Sequence, residues 1–320
     1  MSDPLTALAA IGELRSEDED LTNLYESALG AWSLTDPTAA IEWMLANAES
    51  LSVGSDPAAT VIAYLVPNDT EVAVSALGAL PPQWQSGAAE SLAAAWLAED
   101  QASALSWVLR QEDKPYFADI LNAAAIDMSN RGSQEASAWF DSLNSRAADI
   151  VRPTLVSFMT SRYPAAALRI ARGLPSRQRS DTIPRIALRA AREDLQAAIA
   201  IRQELTGQPR ELFDVGLAGV LAESNLPAAE EIVTDIEDGD VRDRATVGLF
   251  PMMNLEQAES RYLDLADPRA RTIAALYLGE AYEDAGDGER AAAYYRAADP
   301  HGVWLHAVQG AINCMVRNVR

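Results

Sequence analysis

Cysteine, histidine and lysine are nearly absent from this chain of 320 residues, which has one Cys, two His and one Lys. The single cysteine, Cys314, excludes an intramolecular disulfide. With only two histidines, His301 and His306, catalysis by a Ser-His or Cys-His arrangement has few options, and their spacing matches no recognised zinc site. The chain contains no P-loop, G-x-G-x-x-G or G-x-S-x-G motif. No cofactor and no metal are therefore predicted.

Long apolar runs are also missing. No window of about 20 apolar residues is present, so we expect no membrane insertion of this segment. The first 25 residues lack the basic start and apolar stretch of a signal peptide. The compartment stays undetermined, because both a reducing environment and a cysteine-poor periplasmic domain agree with these features.

Basic residues are scarce in the first third of the chain. Between Met1 and Leu109, Arg15 is the only one against 16 acidic residues, which gives −15 out of a total net charge of −22. Such a charge opposes general affinity for nucleic acid or anionic lipid. A partner of this half is expected to be apolar with basic residues rather than acidic.

Alanine and leucine make up most of the hydrophobic 49% of the chain, which favours an all-α fold. An alanine-anchored pattern recurs at steps of 29 to 33 residues, at Ala40, Ala73, Ala104, Ala136, Ala167, Ala198, Ala229, Ala258 and Ala291. Four residues before each anchor, eight of nine positions hold Asp, Asn or Gly, which cap helix N-termini: Asp36, Asp69, Asp100, Gly132, Tyr163, Asp194, Asn225, Asn254 and Asp287. Each unit of about 31 residues is therefore predicted to form two helices that bury their apolar faces by stacking on neighbouring units.

The unit at 274–299 resembles a tetratricopeptide repeat. Its sequence ALYLGEAYEDAGDGERAAAYYRAADP places Leu278-Gly279, Tyr282, Gly286, Ala291 and Tyr295 in the order and spacing of that motif. The resemblance implies a right-handed α-solenoid of about nine helix-turn-helix repeats, whose first helices line a concave groove. In some members of that family, Lys and Arg in the groove clamp a peptide carboxylate.

The repeat register assigns the domain organisation. We expect one array over 1–320, with an N-terminal half-repeat at 1–24, nine helical pairs at 25–305 and a C-terminal capping helix at 306–320. Asp3-Pro4 and Ala7 stand in register 33 residues before Ala40, so the chain is expected to open on the second helix of a unit. Either a natural terminal cap or a piece of a longer protein explains this start, and both interpretations stay open.

One column of the first helices is the candidate partner-binding surface. Eight residues before the anchors, the first five positions hold Trp32, Leu65, Trp96, Met128 and Met159, with no basic clamp. Aromatic and Met side chains suit the adaptable recognition of a peptide or protein. The same pattern also suits ordinary packing between helices, and that interpretation is favoured for the column as a whole.

A second candidate is the arginine band at 162–192, with eight Arg against one Asp. Arg185, Arg189 and Arg192 form one helix stripe that is able to bind an anion, although pairing with acids of neighbouring repeats explains them as well. The acidic strings SEDED (16–20) and DIEDGD (235–240) do not fit a calcium loop and are expected to be solvated turns.

The function expected from these features is a non-enzymatic scaffold that binds a protein or peptide on the concave face. Two alternatives remain: an all-α toroid enzyme that uses paired carboxylates on a saccharide or small molecule, and an anion-binding module at the arginine band.

Overall fold

A computed structural model describes residues 3–13, 19–47 and 57–298. All regular structure in these ranges is helical, with nineteen α-helices and one short 3-10 turn, which confirms the all-α fold. The chain forms two compact units, Met1–Phe158 and Met159–Arg320. The segments predicted as a C-terminal capping helix (306–320) and as part of the N-terminal half-repeat lie outside the described residues.

The first unit is built from helices that alternate between two layers. Along the chain, α2 packs on α4, α4 on α6 and α6 on α8, while α3, α5 and α7 pack beside them. We call the helices of the stacked row first helices and the others second helices. The helices are α1 (Pro4–Glu13), α2 (Glu19–Ser33), α3 (Pro37–Ala46), α4 (Pro57–Leu65), α5 (Thr70–Ala79), α6 (Pro82–Glu99), α7 (Gln101–Leu109), α8 (Phe117–Arg131), α9 (Ser133–Ser142) and α10 (Ser145–Met159).

The second unit repeats the alternation. Here the stacked first helices are α12, α14, α16 and α18, each in contact with the next. The helices are α11 (Pro164–Ala171), α12 (Ser176–Glu193), α13 (Leu195–Gln203), α14 (Gln208–Ala222), α15 (Leu226–Thr234), α16 (Gly239–Leu249), α17 (Leu255–Asp264), α18 (Pro268–Asp284) and α19 (Gly288–Ala298). The 3-10 turn Phe250–Met252 follows α16.

Helix N-caps form where the repeat register predicts them. Asp36 accepts a hydrogen bond from Ala39 N–H at 3.0 Å, and Asp194 accepts one from Ala197 N–H at 3.0 Å. The same side-chain cap occurs at Asp69, Asp100, Asn225, Asn254 and Asp287. Each cap satisfies a backbone N–H that has no partner within the helix, so the second helices begin at fixed positions.

The alanine anchors lie in the core of their units, since all nine are buried. A small residue there lets the second helix approach the first closely. The last described pair shows the same device at Gly279 of α18, where an added Cβ would lie 2.6 Å from Cε1 of Tyr295 on α19. The glycine and the alanines of the tetratricopeptide-like segment are therefore close-packing positions.

Candidate functional site

Most of the predicted partner-binding column belongs to the core. Leu65, Met128 and Met159 are buried, so they are not accessible to a partner in this structure. Trp32 and Trp96 are half-buried. The Trp96 ring packs against Trp107 of α7, with ring centroids 5.8 Å apart. Of the five side chains, only the two tryptophans offer surface to a ligand.

The predicted arginine stripe lies exposed along α12. Arg189 forms an ion pair with Glu193 on its own helix at 2.9 Å, and Arg192 lies 3.6 Å from Glu223 at the end of α14. Arg185 makes no ion pair or hydrogen bond with any described residue. The structure thus brings the three arginines onto one helix face and leaves one guanidinium uncompensated.

A proline inside α12 determines what lies next to this stripe. Pro184 has no N–H, so the carbonyl of Ser180, four residues earlier, lacks its helical partner. Arg244 of α16 replaces it, because its Nη2 donates to the Ser180 carbonyl oxygen at 2.9 Å. This hydrogen bond joins α12 to α16 across the helix that separates them in the row.

Small residues on α14 make this reach possible. Gly216 lies so close to α12 that an added Cβ would overlap the Pro184 carbonyl oxygen and lie 2.9 Å from Cβ of Ala187. One turn further, Gly219 faces open space, with no heavy atom within 4 Å of the Cβ position. A low α14 therefore separates the exposed faces of α12 and α16.

The result is a cleft of about 500 Å³, which we call the first-helix cleft. It is lined from α12, α16 and α18 by Asp181, Arg244, Pro268, Arg269, Thr272 and Ile273. Ile273 is 55% exposed, which is unusual for an aliphatic side chain in a cleft wall. Arg269 has no ion pair among the described residues, so the cleft offers apolar surface and two guanidinium groups against one carboxylate.

The strongest buried ion pair of the unit has a structural position. Asp214 of α14, only 2% exposed, accepts two hydrogen bonds from Arg202 at 2.6 and 3.1 Å, and Arg210 approaches at 3.9 Å. Burial raises the pKa of Asp214, and the hydrogen bond and charge of Arg202 oppose this shift. The carboxylate lines neither this cleft nor a metal site, and no group of metal-ligating side chains occurs in 3–13, 19–47 and 57–298.

A network of tyrosines fixes α17 against the last pair of helices. Tyr294 and Tyr282 donate to Glu259 at 2.6 and 2.9 Å, and Arg290 lies 3.8 Å from it. These hydrogen bonds, the one from Tyr294 above all, lower the pKa of Glu259 although its partial burial opposes the shift. The network stabilises the ionised carboxylate and thus the docking of α17.

The sequence analysis missed Arg244 as a residue of the site. A detectable signal was the proline at 184, inside an otherwise helical pattern, which leaves one carbonyl without a donor. Which side chain fills that gap is not encoded locally, because Arg244 is 64 residues away.

Comparison of the chain with protein-family models, with curated proteins and with solved structures finds no match. The resemblance to tetratricopeptide repeats therefore rests on the residues of 274–299. Within the described ranges, every helix is too short or too polar to cross a membrane.

Proposed function

We propose that the protein is a non-enzymatic interaction scaffold, a right-handed α-solenoid of about nine helix-turn-helix repeats that binds a peptide or protein partner on the face of its first helices. The observation that carries the proposal is the first-helix cleft, where exposed Ile273 lies beside Arg269, a cation without a protein partner. The row of first-helix contacts in each unit supports the solenoid. Small-angle scattering tests it, since a solenoid requires an elongated particle rather than a globule.

The chemistry of the cleft selects its partner. Arg244 and Arg269 outnumber Asp181, and the exposed Arg185 lies one helical turn from Asp181 on α12. Guanidinium groups favour carboxylates with two parallel hydrogen bonds, and Ile273 offers an apolar contact. The fitting partner is therefore an extended segment that carries acidic and aliphatic side chains.

Fluorescence anisotropy with a labelled peptide of Leu and Asp tests this preference against the same peptide with Lys in place of Asp. We expect the acidic peptide to bind and the basic one not to bind. Substitution Ile273→Ala or Arg269→Gln should weaken binding about fivefold or more, the equivalent of about 1 kcal/mol lost in a contact.

Two exposed residues serve as matched controls. Leu263→Ala on α17 removes an aliphatic side chain that is 70% exposed, and Arg296→Gln on α19 removes one positive charge, both outside the cleft. Equal losses in the cleft and control variants would contradict the assignment of the partner to this cleft.

The half-buried tryptophans are a second candidate surface for the same scaffold function. The first unit carries 23 acidic and 6 basic residues, which suits a partner with basic and apolar side chains. The double variant Trp32→Ala/Trp96→Ala should weaken such a complex while circular dichroism shows a folded chain. Unchanged affinity in the folded double variant would remove this surface.

Neither alternative function gains a specific observation. A carboxyl group of raised pKa suits a general acid, yet Asp214 is held by Arg202 within the core. For a polyanion site at the arginine stripe, Arg189 and Arg192 are already paired with glutamates.

A further inference from the structure

A second cleft in the same unit lies on the side of the second helices. We call it the acidic cleft. Its volume is about 450 Å³, within the range of roughly 300–1,000 Å³ typical of small-ligand sites. It is enclosed by α15, α16, α17 and the turn that leads to α18. Its size admits a side chain or a small organic molecule but not a folded domain.

Asp243 of α16 is the most enclosed charged group in this cleft, with 7% exposure. Its Oδ2 accepts hydrogen bonds from the backbone N–H groups of Ala266 and Asp267, at 2.6 and 2.7 Å. Its Oδ1 has no donor among the described residues. A carboxylate oxygen removed from bulk water without a donor is costly, so the cleft favours a ligand that donates to it.

The other charged groups of the cleft leave a negative excess. Its acidic members are Glu230, Asp240, Asp243 and Asp264, and its basic members are Arg242 and Arg261. Both arginines are already engaged, since Arg261 pairs with Glu230 at 2.8 Å and Arg242 donates to the Ile236 carbonyl at 3.2 Å. Asp240 and Asp264 make no ion pair within the described part of the chain. The excess of two negative charges therefore has no internal partner.

The remaining lining of the acidic cleft is apolar or belongs to helix ends. Val233, Leu249 and Leu265 are buried side chains that line it. The last turns of α15 and α17 also line it, and the C-terminal end of a helix carries partial negative charge. The N-terminus of α16 offsets little of this, because Asp238 already caps it through the N–H groups of residues 240 and 241.

From these contacts we infer that the acidic cleft binds an alkyl cation, a guanidinium or ammonium group on an apolar stem. Asp243 and the unpaired Asp240 and Asp264 receive the charged end, and the buried aliphatic side chains receive the stem. A basic side chain of a partner and a free alkylamine share this chemistry. The inference is independent of the first-helix cleft, which offers the opposite charge.

Isothermal titration calorimetry with the whole chain tests the site. The probes are acetyl-Leu-Arg-Leu-amide, the same peptide with citrulline in place of Arg, and agmatine. Citrulline keeps the shape of Arg and removes its charge, so we expect the Arg peptide to bind and the citrulline peptide to bind at least tenfold more weakly. Binding of the Arg peptide should weaken further with rising salt.

The double variant Asp240→Asn/Asp264→Asn should reduce the affinity for the Arg peptide at least tenfold. Both side chains are exposed and make no ion pair with a described residue, so the variant is expected to fold. Asp284→Asn, an equal change of charge on the exposed end of α18, is the matched control and should leave the affinity unchanged.

Three results would overturn the inference: no binding at millimolar concentration, equal binding of the citrulline peptide, or equal loss in the double variant and the control. Tighter binding of the peptide than of agmatine supports the site and assigns the cation to a partner chain. Equal binding of the two supports the site and assigns it to a free amine.

Discussion

The closest helix contact of the second unit predicts opposite effects of one substitution at two positions of α14. At Gly216, an added Cβ would overlap the backbone oxygen of Pro184, which no side-chain rotation relieves. Overpacking of this kind costs about 1–3 kcal/mol, and the gain in helix propensity from Gly to Ala returns at most about 1 kcal/mol. Because the obstacle is backbone, we expect Gly216→Ala to lower the free energy of unfolding by about 1–2 kcal/mol.

Gly219→Ala is the matched substitution one turn away. No heavy atom lies within 4 Å of its Cβ position, so only the helix propensity changes and the chain should gain about 0.5–1 kcal/mol. Urea denaturation followed by far-UV circular dichroism measures both variants. Tryptophan fluorescence is unsuitable, because six of the seven tryptophans lie in the first unit. Hydrogen exchange should locate the Gly216→Ala effect in α12 and α14, and a Gly216→Ala chain as stable as Gly219→Ala would refute the close contact.

Three further changes test particular contacts. Asp194→Ala should lower the free energy of unfolding by about 1 kcal/mol in urea denaturation through loss of the cap of α13, while Asp194→Asn stays near wild type. The pKa of Glu259 is lowered from its ordinary value of 4.5, so its stabilisation is present above that pH and is lost as pH falls through the lower folded value. Glu259→Gln should therefore flatten the acid dependence of the thermal midpoint, and parallel curves would contradict this. Arg244→Met removes the donor to Ser180, and its cost in urea denaturation should shrink in a Pro184→Ala background, where an N–H at 184 is able to replace it; additive effects would exclude this coupling.

Features with local causes were accessible from the sequence. A cap such as Asp36 needs only a side-chain oxygen three residues before a backbone N–H, and an anchor such as Ala40 needs only the repeat register. Both follow from spacing along one chain segment. The all-α fold, the N-caps and the buried anchors were therefore predicted, and the first helices were correctly placed before each capped second helix.

The charged residues of the clefts were not accessible in the same way. Asp214 and Asp243 stand fifteen residues before their anchors, a register that holds buried Ala89, Leu121 and Ile183 in other repeats. A carboxylate in an otherwise apolar column was a usable signal that the search for motifs overlooked. It marks a special position but not its partner, because Asp243 meets the backbone at Ala266 only after α16 and α17 have packed.

The distribution of charge in the second unit argues for ligands rather than for stability alone. Surface ion pairs contribute little to stability, so a chain under selection for folding gains nothing by holding unpaired charges at the edge of buried apolar surface. Yet Arg269 lies beside exposed Ile273, and Asp264 lies beside buried Leu265, each without an ion pair in the described residues. In such partly enclosed positions a charge loses hydration, and an opposite charge from a ligand restores the lost interaction at a lower effective dielectric than on an open surface. Two clefts of opposite sign in one unit therefore allow a scaffold to discriminate between two kinds of side chain without catalytic machinery.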